Sequence, residues 1–294
     1  MKNYFLKKLY SILIQFLLVF TFSIKSYSQI TSLTISTTGA GTWIAPCGVT
    51  NATIICIGAG GGGGGGNGSN KDAGGGGGGG GCAIYNTIVI VEGTSYNYTV
   101  GLGGTAGASG SNGVTGGFSQ MIIGGITIKG FGGILGVKAL NGAGGNGGIA
   151  SGGTSNFSGG KGANGLNPNS GGGGEAASST TIGINAIGIS GGNGNPGADG
   201  GAGKSSNNGS GTAGSAPGGG GAGGNGTGTG AAGGKGQIII MYNTPPTSIA
   251  GPNQTINCSG TTATLAGNTA VGYTGAWTTV TGSGSATTIY YFNW

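Results

Sequence analysis

"GNPGADGGAGKS", residues Gly194 to Ser205, decides what kind of molecule this chain is, because two readings compete for it. From Ala198 onward it satisfies the relaxed phosphate-loop pattern, a small residue and four others ahead of Gly203-Lys204-Ser205. It also places glycine at every third position, at Gly194, Gly197, Gly200 and Gly203. A phosphate loop must leave a buried strand and enter a helix whose first amides grip the phosphates. Here "GISGGNGNPG" precedes the motif and "SNNGSGTAG" follows it, so neither element is at hand. No acid stands on a second strand to hold a metal. The nucleotide reading fails, and no cofactor is expected.

The three-residue rhythm returns in "GGKGANGLN", Gly159 to Asn167. Ordering a glycine costs more backbone entropy than ordering any other residue, and it brings no side chain to bury. A glycine region therefore folds only where its main chain finds hydrogen-bond partners at very close approach. The left-handed extended helix, three residues per turn and without internal bonds, is one regular solution when such helices lie side by side. The register lasts only three or four triplets before it slips, which excludes collagen.

Of 294 residues 81 are glycine and only 5% are charged, yet 35% are hydrophobic. Chains that stay disordered are poor in apolar residues. Here the apolar residues cluster into short runs: Gln29–Ser36, Thr50–Ile57, Ala83–Val91, Ser95–Val100, Phe118–Gly130 and Gly236–Tyr242. Runs of Ile, Val, Thr and Tyr with period two, bounded by Gly, Asn and Pro, predict strands. No helical period survives glycine at this density, each glycine costing about 1 kcal/mol against alanine in a helix. The expected fold is all-β, an antiparallel framework with an inserted region of packed glycine helices.

At the start, Lys2, Lys7 and Lys8 precede the apolar stretch Leu9–Ile24. Ser26 and Ser28 place small residues at the cleavage-specifying positions, so cleavage is expected between Ser28 and Gln29. The stretch is short for a span, which needs about 20 apolar residues; residues 1–28 read as a signal peptide and no span is expected after its removal. Lys25 leaves with it, so six lysines remain against four acids, a net charge of +2 rather than +6. With no arginine in the chain, that balance gives no footprint for nucleic acid.

Catalytic constellations are equally sparse. The chain has no histidine, which removes Ser/His/Asp and Cys/His arrangements. Its acids, Asp72, Glu92, Glu175 and Asp199, lie far apart in or beside glycine loops, and no Cys-x-x-Cys exists for zinc. Four cysteines in an exported chain favour bridging. Cys56 ends one predicted strand and Cys82 opens the next, so antiparallel pairing would set them face to face; Cys56–Cys82 is the expected disulfide. Buried reduced thiols are the alternative, and Cys47 and Cys258 are either free or paired elsewhere.

"GTWIAPCGVTNATIICIGAGGGGGGG" followed by "GGGGGGGGCAIYNTIVIVEGTSYNYTVGLGG" resembles the exported bacterial glycine-rich domain, over about Thr31 to Asn243. The Gly-Thr-Trp strand, the Pro-x-Gly-Val-Thr turn, the strand running into polyglycine and the closing "GKGQIIIMY" strand carry the likeness. Ile57 departs from it, standing where family members often carry tryptophan. Similar glycine-helix sandwiches in phage tail-tip adhesins and a receptor-kinase ectodomain imply a rigid platform for recognition loops. Past the Pro linker 244–248, residues 249–294 resemble a partial PKD-type, immunoglobulin-like repeat of surface proteins in gliding, type IX-secreting bacteria. "AGPNQT", the Cys258 strand and "LAGN" carry that resemblance. It implies the surface or exterior of a Gram-negative bacterium, and a chain truncated or frame-shifted within that repeat.

The function these readings favour is a non-enzymatic surface or secreted protein, structural or adhesive, with domain 29–243 displaying polar loops to an unidentified glycan or protein ligand. The oligomeric state is open. Rivals are a disordered elastic matrix protein, a glycine-rich ice-binding protein, and a carbohydrate module using Trp43, Tyr96 or Trp277, although strand aromatics are more often core.

Overall fold

The computed structural model describes residues 29–68, 72–140, 142–194, 196–206 and 208–244. The signal peptide, the linker from 245 and the partial repeat expected from the sequence lie outside them. The described residues hold ten strands and no helix, so the fold is all-β. The strands are β1 Gln29–Ile35, β2 Gly39–Ile44, β3 Asn51–Ile57, β4 Cys82–Val89, β5 Ser95–Val100, β6 Ser119–Ile123, β7 Ile126–Gly130, β8 Ala150–Ser151, β9 Ser155–Phe157 and β10 Gln237–Thr244.

They form two five-stranded sheets, ordered β1-β10-β3-β4-β9 and β2-β5-β6-β7-β8. Alternation explains how they meet. Ile54 and Cys56 on β3 and Ile238 and Ile240 on β10 turn one way. Trp43, Tyr96, Met121 and Ile128 of the other sheet join them in one buried cluster. Trp43 stacks on Tyr96 at 5.8 Å and meets Tyr242 at 5.7 Å. Burying each large side chain contributes about 1.5–3 kcal/mol. Ile55, Ile57, Cys82 and Ile84 face the other side of their sheet and form a second cluster with Ala177. Ile57 is thus a buried wall of that cluster.

Phe118–Gly130, one run by sequence pattern, is a hairpin in the structure. Strands β6 and β7 pair through Gly124 and Gly125, whose φ of 56° and 82° suit the tight turn that hairpin twist requires. Strands β8 and β9 are too short for sequence periodicity to register.

The glycine region has its own order. Stretch 58–66 donates hydrogen bonds in three directions, stepping by three. Gly61 and Gly64 donate to Gly78 and Gly75; Ala59, Gly62 and Gly65 donate to Gly117, Val114 and Ser111; Gly60, Gly63 and Gly66 donate to Gly234, Ala231 and Gly228. Its carbonyls accept on three further sides. Gly104 and Gly107 reach Gly60 and Gly63, Gly133 and Gly136 reach Ala59 and Gly62, and Gly221 and Gly224 reach Gly61 and Gly64. All these bonds measure 2.8–2.9 Å. One strip of main chain therefore touches six neighbours.

Burial explains the two glycine patterns of the sequence. Stretches 58–66, 74–81, 170–177 and 218–224 are buried at every residue, and they are the continuous Gly/Ala runs, broken only by Ser170 and Glu175. Flanking strips bury one residue in three, as at Gly104 and Gly107, Gly133 and Gly136, or Gly142, Gly145 and Gly148. Polyglycine is the interior of the bundle and Gly-x-x is its perimeter. Where a perimeter strip has no main-chain neighbour, a side chain stands in. Lys138, Gly144 and Lys161 donate their amides to Asn112, Asn164 and Asn185 Oδ1 at 2.9, 2.9 and 2.7 Å.

Candidate functional site

Strands feed the bundle from one end: Ile57 runs into Gly58, Gly81 into Cys82, Val100 into Gly101 and Gly236 into Gln237. The turns at the other end are tied together by the same bonds. Gly68 donates to Gly226 and Gly226 to Asp72; Ser109 Oγ donates to Gly66; Ala139 donates to Gly65, and Thr227 to Asn208 Oδ1. This end gathers Asn67, Asp72, Ser109, Lys138 and Asn208, side chains that donate or accept hydrogen bonds, together with exposed Leu140 and Leu166. Beneath them Asn225 is fully buried, its Nδ2 donating to the Pro168 carbonyl, and its Oδ1 has no partner among the described residues. The bundle presents these turns on a bonded backbone.

The phosphate-loop look-alike is part of a perimeter strip of the bundle. Gly200 donates to Gly192, Gly201 to Gly220, Gly203 to Ile189, Ala202 to Thr212 Oγ1 and Lys204 to Ser170 Oγ. The amides that would cradle a phosphate are committed to neighbouring strips. The motif is an accident of glycine-rich composition.

The acids are not assembled. Glu92 accepts the Gly48 amide at 2.6 Å, Asp72 sits beside Asn67, and the Asp199 carbonyl accepts from Ser215. Glu175 is fully buried within an interior strip, its Oε2 accepting from the Ile184 amide at 2.8 Å. Among the described residues, no three His, Cys, Asp or Glu side chains group closely enough to hold a metal.

The expected Cys56–Cys82 bridge meets a register that opposes it. Strands β3 and β4 are antiparallel as anticipated, but Cys82 pairs with Ile57 while Cys56 pairs with Ala83. That offset of one residue turns the two side chains to opposite faces of the sheet. Cys56 lies in the core between the sheets and Cys82 in the second cluster, and both are free thiols. Burial pushes both thiols up, Cys82 to about 12 and Cys56 further, the nearby Cys82 adding to the latter. Such thiols are protonated and inert at neutral pH. Cys47 is free and exposed; Cys258 lies outside the described residues.

Of the aromatics considered for sugar binding, Trp43 and Tyr96 are 6% and 8% exposed and belong to the core. Trp277, like the Ser28–Gln29 cleavage position on its Ser28 side, lies outside the described residues. No described helix is long and apolar enough to cross a membrane.

A family model described as a glycine-rich domain matches residues 35–243, from the end of β1 to within β10. No curated protein matches the chain.

Proposed function

The chain belongs to the glycine-rich domain family, and from that premise we propose that it acts without catalysis, as an exported scaffold presenting polar loops at a cell surface or in secreted matrix for adhesion. The strips are read as left-handed extended helices with three residues per turn, since their bonds recur every third residue in all directions. That bonding is the observation that carries the proposal, because a main chain held on six sides gives loops a fixed base. Export rests on the basic start and apolar stretch Leu9–Ile24, and surface location on the resemblance of residues 249–294 to PKD-type repeats. The absence of histidine supports a non-enzymatic role.

The test is localisation with function. An impermeant amine reagent should label the protein on intact cells, and cells lacking it should attach less well to surfaces. Cytoplasmic retention, or unaltered attachment, contradicts the surface role.

A further inference from the structure

The sheet β2-β5-β6-β7-β8 packs one face on the core, and among the described residues no strand or strip covers the other. Cross-strand register lines a row of polar residues straight across that open face. Thr99 pairs with Gln120, Gln120 with Lys129 and Lys129 with Ser151. Thr42 and Asn97, paired with each other, lie beside the Thr99 end. Neighbouring strands stand about 4.8 Å apart, so four strands in register give a row of about 14 Å. A shallow groove of about 420 Å³ runs along its Thr42–Gln120 part.

Lys129 gives this row its chemistry. Its Nζ lies 3.7 Å from the Phe118 ring centroid and 4.6 Å from that of Phe131, so two rings hold the ammonium in place. The acids are elsewhere: Glu92 is engaged by Gly48, Glu175 is buried in the bundle, Asp72 stands beside Asn67 at the loop end and Asp199 lies in a perimeter strip. A fixed cation between Gln120 and Ser151, with amide and hydroxyl groups along the rest of the row, forms a complementary surface for a chain bearing hydroxyls and carboxylates. We propose that this face binds an acidic polysaccharide, Lys129 taking a carboxylate while Gln120, Thr99, Asn97 and Thr42 bond ring hydroxyls. The inference rests on the adhesive reading and names its ligand class. It also places recognition on the sheet, away from the loop end of the bundle.

The probe is polygalacturonate, with uncharged dextran beside it, tested against the full chain by affinity electrophoresis. Retention by polygalacturonate that weakens with salt is expected, with none by dextran. Lys129→Gln should lower affinity at least about tenfold, the loss expected for a charge-assisted bond. Lys129→Arg, which keeps the charge over the rings, should bind as the parent does, and Lys204→Gln, in the strip bonded to Ser170, should change nothing. Melting curves certify that each variant is folded. Equal binding by folded Lys129→Gln, or equal retention by dextran, overturns the proposal. If cell attachment requires the protein yet ignores Lys129→Gln, this inference fails while the scaffold reading stands. Lys129-dependent binding of polygalacturonate by a protein that never leaves the cytoplasm would instead uphold the sheet-face site and overturn the surface role.

Discussion

A β-carbon built on Gly63 would land on the carbonyl oxygen of Ala222, in a neighbouring buried strip. The same holds for Gly79 against the Glu175 carbonyl and for Gly60 against that of Gly219. Glycine is required at these positions by contact between main chains, since no turn or unusual φ is involved.

Gly63→Ala is therefore expected to force two strips apart and break bonds on several sides. The loss should equal or exceed the roughly 1–3 kcal/mol of an overpacked core. Ala106→Ser, at an exposed perimeter position, should stay within about 0.5 kcal/mol. Thermal melting of the two variants checks the contrast.

Asparagines on the perimeter stand in for missing neighbours. Asn185→Ala leaves the Lys161 amide without its acceptor at 2.7 Å, and Asn112→Ala does the same to Lys138. Each should cost about 1 kcal/mol. Because they sit on separate strips, the double variant should lose about the sum. A strongly non-additive result in denaturant melts would contradict independent capping.

The buried thiols make alkaline stability fall in a defined window. Unfolded cysteines ionise near 9, whereas Cys82 ionises at about 12 in the folded chain and Cys56 higher still. Between those values the folded state binds more protons than the unfolded one, so stability is complete below pH 9 and is lost as pH rises toward 12. The slope is about 1.4 kcal/mol per pH unit per thiol. Cys82→Ala should flatten the alkaline loss relative to the parent, and an unchanged slope would refute the burial account. Neither Cys56 nor Cys82 should react with iodoacetamide until the chain unfolds, whereas Cys47 should react at once.

Adding ATP and magnesium should leave the melting temperature unchanged, in the parent and in Lys204→Ala alike, because the amides around Lys204 are bonded within the bundle. A nucleotide-dependent shift that vanishes in Lys204→Ala would reinstate the phosphate loop.

Strand positions are legible wherever β-branched residues alternate, as in Asn51–Ile57 and Gln237–Thr244, since period two is a local property. The triplet at Gly194–Gly203 is legible too, and it marks a perimeter strip. How strips pair is not. Gly61 bonds Gly78 but also lies against Ile134 and accepts from Gly221, a choice of partners that identical residues cannot encode. The cysteine pairing escapes the sequence for a related reason: a one-residue shift in register moves a side chain across the sheet, and nothing in "TIICIG" specifies that shift. The sheet face with Lys129 is hidden because its residues come from different strands. Only the pair Phe118 and Phe131, flanking the hairpin β6–β7 that carries Lys129, could have signalled it.

Main chains bonded to main chains hold the middle of this molecule in shape, and amide hydrogen exchange tests that claim most directly. Stretches 58–66, 74–81, 170–177 and 218–224 should exchange far more slowly than a free peptide, and Gly136, bonded inward to Gly62, more slowly than Lys138, bonded to an asparagine side chain. Exchange of those glycines at free-peptide rates, in a protein whose sandwich strands remain protected, would contradict the account.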